Sequence, residues 1–357
     1  MMSITLPKFC LITTGGTIAG AASDFQNNVY VSASFTGQDL LTATCGIDEL
    51  AEWQIIPAYA IGSQDVSLSH WLMLRKIIMA ALADESIDAV VLTHGTDTLE
   101  ETAFWLHLHL PKGTVDEPFK PIIMTAAMRP ATALSSDGPA NLWQAAAFAR
   151  YLIESPRPLP IAIRQQKVWA VLQDHIYAPP NLQKRATTGV GAFGTVSYAQ
   201  FVGKQIFWSA MPVDGLWPAG YLADEWEANS PALISNQNWP EVLLLNCQID
   251  ADMERLARWF KPWPAGCILA GFGHGNWPQY LLPLLRDAMD SGVCLVRSSR
   301  LSNGIVGKAV ELAIGAASLP LNIPSAGILN AGQARIALQG VLMFEKTWPD
   351  ELPNGLH

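Results

Sequence analysis

Ala89-Val90-Val91-Leu92-Thr93-His94-Gly95-Thr96-Asp97-Thr98-Leu99-Glu100-Glu101 is the stretch from which the fold can be read. Ala89–Thr93 is a short apolar run, and it stops at a glycine and three small polar residues. Thr98 with Glu101 three positions on has the spacing of a capping box. It predicts a helix over Thr98–Leu110, closed by Pro111. Strand, polar turn and helix then recur outward from this point. Phe9–Thr13, Gln54–Ala60, Ile122–Thr125 and Val168–Gln173 read as further strands, and Ser69–Ala83 and Asp137–Ile153 as further helices. Such alternation predicts an α/β fold, with a mostly parallel sheet flanked by helices. A second α/β pattern starts near Glu241, with Val242–Leu245, Ile268–Ala270 and Val293–Val296 as strands. The expected organisation is a larger N-terminal domain over 1–211, a connecting segment over 212–240 rich in Pro, Gly, Trp and Asn, and a smaller α/β C-terminal domain over 241–357.

Composition narrows the function classes. The 357 residues are 50% hydrophobic and 15% charged, enough for a large core. Lys plus Arg is 22 against 31 Asp plus Glu, a net charge of −9 with no basic block, so nucleic acid is not an expected partner. No run of 18 apolar residues is present, so no membrane span is expected. Residues 1–12 read as a first strand rather than a leader. The five cysteines are scattered, odd in number and without a Cys-x-x-Cys pair. Buried thiols in the cytoplasm are the expectation, or in the periplasm had a leader been removed.

The small polar residues fall at the strand ends: Thr13-Thr14-Gly15-Gly16-Thr17, Gly62-Ser63-Gln64-Asp65, Thr93 to Thr98, Ala126-Ala127-Met128-Arg129, and Asp174-His175. The carboxyl ends of parallel strands share one edge, where ligands bind. Thr17, Ser63, Gln64, Thr96 and Asp97 are therefore expected in one cleft, although Thr96, Asp97 and Thr98 would also serve simply to cap a helix. Gly15-Gly16 permits a tight turn and close backbone approach. The helix N-terminus beside Asp97 favours negative charge, including a developing oxyanion.

Other motifs fail on context. Gly15 to Gly20 has P-loop spacing but is followed by Ala21-Ala22 rather than Lys and Ser/Thr. Gly189, Gly191 and Gly194 match a dinucleotide fingerprint but do not follow a strand. There is no Gly-x-Ser-x-Gly elbow. His107 and His109, two apart, cannot share a helical face, so no metal site is expected there.

Thr14-Gly15-Gly16-Thr17-Ile18-Ala19-Gly20 and His94-Gly95-Thr96-Asp97-Thr98 resemble the two signature segments of the L-asparaginase family. The likeness extends through Ile61–Asp65, Ala127–Pro130, Ser136–Pro139, Gly273–Asn276, Val296–Arg300 and Ala334-Arg335, and is closest to the bacterial type II enzymes. It implies a cofactor-free, metal-free amidohydrolase that converts L-asparagine, with L-glutamine as a second substrate, to the acid and ammonia. Thr17 would be the nucleophile, with Tyr30 beside it on a lid. Thr96, Asp97 and Lys184 would form a second proton-handling group. Ser63, Gln64 and Asp97 would hold the substrate's α-carboxylate and α-amino groups. Asn276 and Glu311 would complete that pocket, with Glu311 reaching in from a neighbouring subunit of a homotetramer built from intimate dimers. The 13 tryptophans point the same way, being more than a monomer of this size is expected to bury.

A threonine hydroxyl needs a proton acceptor within hydrogen-bond reach, and both Tyr30 and Lys184 are candidates. The flanks of Lys184, Gln183 and Arg185, read as exposed. Four features depart from the family pattern: Lys308–Ile314 replaces an acidic run around Glu311, His274 stands where an amide is usual, Pro212–Tyr221 is extra, and the cysteines of the periplasmic members' disulfide are missing. Two other readings compete. A non-catalytic amino-acid-binding protein would keep Ser63, Gln64 and Asp97 but lose Thr17 or Lys184. A tRNA-dependent amidotransferase subunit would carry an additional N-terminal domain.

Overall fold

The computed structural model describes residues 5–22, 30–31, 34–114, 117–155, 158–194, 196–212, 217–229, 239–307 and 322–349, with backbone alone at 22, 30, 31, 227 and 259. They form two compact units, one from residues 1–214 with 219–223 and the other from 215–218 with 224–357.

In the first unit the strands are β1 (Lys8–Gly15), β2 (Ala21–Ala22), β3 (Tyr30–Val31), β4 (Glu52–Ile61), β5 (Ala89–Thr93), β6 (Ile122–Thr125), β7 (Val168–Leu172), β8 (His175–Tyr177), β9 (Ala199–Val202) and β10 (Gln205–Trp208). The helices are α1 (Gly37–Ala43), α2 (Leu68–Ala83), α3 (Leu99–His109), α4 (Gly138–Glu154) and α5 (Ile161–Gln165). Eight strands make one sheet in the order β10-β9-β8-β7-β6-β5-β1-β4. β4, β1, β5, β6 and β7 run parallel, with Leu11 paired to both Ile55 and Val91. β2 and β3 form a separate ribbon, with Ala22 opposite Tyr30.

β1 lies inside the sheet because both of its faces are apolar. Phe9 and Leu11 on one face join Val91, Ile123, Trp169 and Val171 in a core closed by Leu142, Ala145, Phe148 and Ala149 of α4. Alternate residues Cys10, Ile12, Val90 and Leu92 are fully buried as well, as a sheet covered on both sides requires. Burial pushes the Cys10 thiol up to about 11. Cys247 and Cys267 are also buried, whereas Cys45 and Cys294 are exposed. α2 and α3 pack together through Trp71 stacked on Trp105 at 5.6 Å, and Trp71 Nε1 donates to Thr102 Oγ1. His107 and His109 are buried, and His109 stacks on Trp105 at 4.4 Å.

The strand expected over Val168–Gln173 ends at Leu172. Gln173 and Asp174 take left-handed φ of 56° and 67° and turn the chain back into an antiparallel extension, β8-β9-β10. These strands of three or four residues carry too little periodicity to be read from sequence. Non-glycine residues in this conformation need holding, and α4 supplies the hold. Asn141 Oδ1 accepts from Gln173 N–H, its Nδ2 donates to Ala126 O, and Gln144 Oε1 accepts from Asp174 N–H. Asp137 accepts the N–H groups of Met128 and Arg129, each at 2.9 Å.

In the second unit β11 (Val242–Asn246), β12 (Gly266–Gly271) and β13 (Cys294–Ser299) form a parallel three-stranded sheet. Its helices are α6 (Glu225–Ala228), α7 (Met253–Trp259), α8 (Leu282–Asp290) and α9 (Ala331–Met343). Its core gathers Cys267, Leu269, Leu285, Leu295 and Phe260. No helix among the described residues is long and apolar enough to cross a membrane.

The tryptophan argument for assembly fails. Trp71, Trp105, Trp169, Trp217, Trp277 and Trp348 are buried within the chain. Every other tryptophan whose side chain is described is at least half-buried there, so the indole content needs no partner.

Asn141 satisfies the buried carbonyl of Ala126 and the part-buried N–H of Gln173. Asn141→Leu is expected to destabilise the protein by about 1–3 kcal/mol, chiefly the cost of the stranded buried carbonyl. A lowered urea midpoint is the expected readout, and an unchanged one would show that the turn holds itself.

Candidate functional site at the sheet's carboxyl edge

The site begins with glycines. β1 ends at Gly15 (φ 94°), and Gly16 (φ 76°) donates its N–H to Ile61 O before the chain enters a 3-10 turn over Thr17–Ala19. A Cβ added to Gly16 would lie 2.6 Å from Gly95 N, and one added to Gly95 would lie 2.6 Å from Ser63 Oγ. Three strand ends therefore meet at van der Waals contact only because two of them lack side chains. Thr17 and Thr96 follow these glycines and are buried, as is Ser63.

Hydrogen bonds then lock the second and third strand ends together. Ser63 Oγ accepts from Asp97 N–H at 3.1 Å, and Thr98 Oγ1 donates to Ser63 O at 2.8 Å. This corrects the capping box expected at Thr98. The hydroxyl is committed to Ser63, and no side-chain cap closes on the N-terminus of α3. Thr14 Oγ1 donates to Thr93 O, joining β1 to β5 just below the glycine contact. Gln64 is exposed beside Ser63, and its Nε2 donates to Asp65.

Lys184 comes from a distant loop. Its Nζ donates to Thr96 Oγ1 at 3.0 Å and pairs with Asp97 Oδ1 at 2.6 Å. The lysine side chain is 17% exposed and that of Asp97 57%. The expectation of exposed flanks is half wrong. Arg185 is exposed, but Gln183 is buried, because its carbonyl accepts from Gly194 N–H while Lys184 bridges Phe193. The Gly189–Gly194 glycines lie in this same loop, with neither the strand before nor the helix after that a dinucleotide fold requires.

Tyr30 lies in β3 opposite Ala22, five residues beyond Thr17, and only its backbone is described. Phe35 N–H donates to Ala19 O, returning the chain to the Thr17 turn. Asn276 belongs to the second unit, where its backbone pairs twice with Phe272 and its buried Oδ1 has no hydrogen-bond partner. Glu311 lies outside the described residues. The residues before and after its segment are anchored by the buried Arg297, whose guanidinium donates to Gly307 O at 2.6 Å and to Ile323 O at 3.3 Å. His274 Nε2 accepts from Gly307 N–H. The structure thus brings together Thr17, Ser63, Gln64, Thr96, Asp97 and Lys184 on the first unit's sheet edge.

Two participants were not singled out from sequence: the Thr98 hydroxyl as a strand-to-strand tie, and Glu100, whose carboxylate accepts from Lys184 N–H. An acidic residue in a helix's first turn was the available signal, and it reads ordinarily as a complement to the helix dipole.

A two-unit α/β protein with hydroxyls, a carboxylate and a lysine gathered beyond the ends of parallel strands is the class this geometry defines. The chain belongs to the asparaginase family: the model for the N-terminal asparaginase domain matches residues 8–213, and that for the glutaminase/asparaginase C-terminal domain matches 241–351. It is 29% identical to a probable periplasmic L-asparaginase of Haemophilus influenzae, over 96% of this chain and 90% of that protein. It is 30% identical to a glutaminase-asparaginase of Acinetobacter glutaminasificans, over 84% and 86%. The solved structure of a probable cytoplasmic L-asparaginase from Campylobacter jejuni superposes with a TM-score of 0.75 at 25% identity, over 96% of this chain and all of that one.

His94 sits between β5 and the site, fully buried, with Nδ1 2.8 Å from Gly95 O. Burial lowers its pKa from 6.5 to about 4 and pushes His109 well below 6.5 as well. The unfolded chain thus takes up protons at these histidines before the folded one does. The stability these neutral histidines contribute is full above pH 6.5 and falls as the pH drops from 6.5 towards 4, by about 3 kcal/mol for His94 alone. The urea midpoint is expected to decline across this window, and His94→Gln to flatten part of the decline. A wild-type midpoint that stays level down to about pH 5 would contradict the buried neutral imidazoles.

Proposed function

We propose that this chain hydrolyses the side-chain amide of L-asparagine, with L-glutamine as a second substrate, to the acid and ammonia through an acyl-enzyme on Thr17. The contact of Lys184 Nζ with Thr96 Oγ1 and Asp97 Oδ1, on the strand end packed against the Thr17 turn, carries this reading. It supplies a proton-handling group beside a buried hydroxyl on a glycine turn.

In this reading Thr17 Oγ bonds to the amide carbon as its proton leaves. Charge collects on the carbonyl oxygen, where backbone N–H groups near Thr96 contribute about 3–4 kcal/mol. The tetrahedral centre then expels nitrogen, which takes up a proton and departs as ammonia. Water attacks the resulting Thr17 ester, releasing aspartate and restoring the hydroxyl. Ser63, Gln64 and Asp97 hold the substrate's α-groups, and the Asp97 carboxylate shares itself between the substrate ammonium and Lys184. The N-terminus of α3 favours the negative charge there. Tyr30 and Lys184 are the two candidates for the proton from Thr17.

Thr17→Ala is expected to lose more than about nine-tenths of kcat/KM while still binding aspartate, and Lys184→Met to lose more than about a hundredfold in rate. Ammonia release from L-asparagine and L-glutamine in parallel reads both. A near-normal Lys184→Met rate would leave Tyr30 as the acceptor, and an active Thr17→Ala would move the nucleophile elsewhere. A binding protein on this fold would release no ammonia at all.

The site is proposed to be completed between subunits of a homotetramer, with Asn276 and Glu311 supplied by the second unit. Support comes from the family pattern, not from tryptophan content. Thr17→Ala and Glu311→Ala chains, each weak alone, are expected to recover activity when mixed after dissociation, because some mixed dimers hold one intact site. A weak Glu311→Ala chain with no recovery on mixing would place Glu311 at its own chain's site.

A further inference from the structure

The Lys184 side chain is caught at its far end by Thr96 and Asp97, but a lysine stem is flexible, and the loop beyond it, residues 185–191, is exposed. Something must also fix where the stem begins. Glu100 does this. It lies in the first turn of α3, three residues after Asp97, and its Oε2 accepts the backbone N–H of Lys184 at 2.5 Å. Lys184 is therefore gripped at both ends by a single five-residue stretch, Thr96 to Glu100. The distance between the root of the lysine and the hydroxyl it serves is then spanned by that one stretch, where α3 begins, while the Lys184–Phe193 bridge ties the root only to its own loop.

We infer that Glu100 is a positioning residue for the amidase reaction, acting through the backbone of Lys184 to hold the ammonium against Thr96 and Asp97. This rests on the proposed function, since it assigns Glu100 a part in that site's proton transfer. The ordinary alternative is that the carboxylate merely complements the helix N-terminus and satisfies a loop N–H, stabilising the fold without touching the rate. The two differ in what they predict. A positioning role follows the hydrogen bond and vanishes without the lysine, whereas a structural role follows stability and is indifferent to it.

The test is a double-mutant cycle on the full-length protein, read by ammonia release from L-asparagine, with thermal unfolding of each variant alongside. Glu100→Ala is expected to lower kcat about tenfold or more while KM changes less than about threefold, because a small misplacement of a proton-handling group is felt in the reaction more than in binding. Glu100→Gln keeps an acceptor oxygen at the same reach and is expected to return to within about threefold of wild type. In a Lys184→Met background, Glu100→Ala is expected to cost less than about twofold. The inference is overturned by a Glu100→Ala rate within about twofold of wild type, by a Glu100→Gln rate as low as that of Glu100→Ala, or by a tenfold loss that persists without Lys184. If Glu100→Ala does not fold, Glu100→Asp takes its place in the cycle: its carboxylate stops one methylene short, so it should be slow where Glu100→Gln is not. A wild-type chain that releases no ammonia defeats the functional reading itself, whereas an active wild type with an indifferent Glu100 defeats only the role assigned here.

Discussion

The contact of Gly16 with Gly95, and of Gly95 with the Ser63 side chain, is the constraint on which the site depends. Parallel strands lie about 4.8 Å apart, and their ends would ordinarily be separated further by the side chains of the turns. Two residues without Cβ atoms remove that separation, so the turns after β1, β4 and β5 close on one another. Thr17, Ser63 and Thr96 are brought in as the immediate neighbours or partners of those glycines. A methyl group on Gly16 would push against the Gly95 backbone, and both segments are anchored in buried strands, β1 and β5, while one on Gly95 would displace the Ser63 side chain.

Around this contact, polar groups do the work that apolar packing does in the sheet. Asn141 and Gln144 on α4, with Asp137 just before it, pin the turns that follow β6 and β7, and Gln173 Oε1 in turn accepts from Phe193 N–H in the loop that carries Lys184. Glu100 and Ser63 pin the elements on the other side. Polar networks of this sort specify position closely, although the buried Nε2 of Gln173 has no hydrogen-bond partner among the described residues. The long loop between β8 and β9 is thus held at Lys184 by bonds from β5's turn, α3 and the β7–β8 turn.

The second unit repeats the logic on a smaller sheet. Arg297, fully buried, uses its guanidinium to join His274, Gly307 and Ile323 carbonyls, and Ser299 Oγ donates to Gly273 O. A buried arginine donating to three backbone carbonyls is costly to desolvate and is therefore committed to organising these loops. Asn276 stands among them with an unpartnered buried oxygen, a group whose hydrogen bond the described part of the chain does not supply.

The amino-acid sequence by itself determined the strands and helices of the parallel core, because Phe9–Thr13, Ala89–Thr93 and Ile122–Thr125 are apolar runs bounded by turn residues, and burial of both sheet faces leaves such runs no other place. It also marked Thr17, Ser63, Thr96 and Asp97, since small polar residues at the ends of parallel strands must fall on one edge. What only the tertiary structure decided were the interactions between residues far apart in sequence. The antiparallel extension β8-β9-β10 depends on a turn held by Asn141 and Gln144, some thirty residues away. The Thr98 hydroxyl turned from its own helix to Ser63, since a strand-to-strand bond was within reach. Lys184 and Glu100 found each other across 84 positions. Local propensity and periodicity describe a chain's nearest neighbours, and no such pattern encodes which distant backbone N–H a carboxylate will meet.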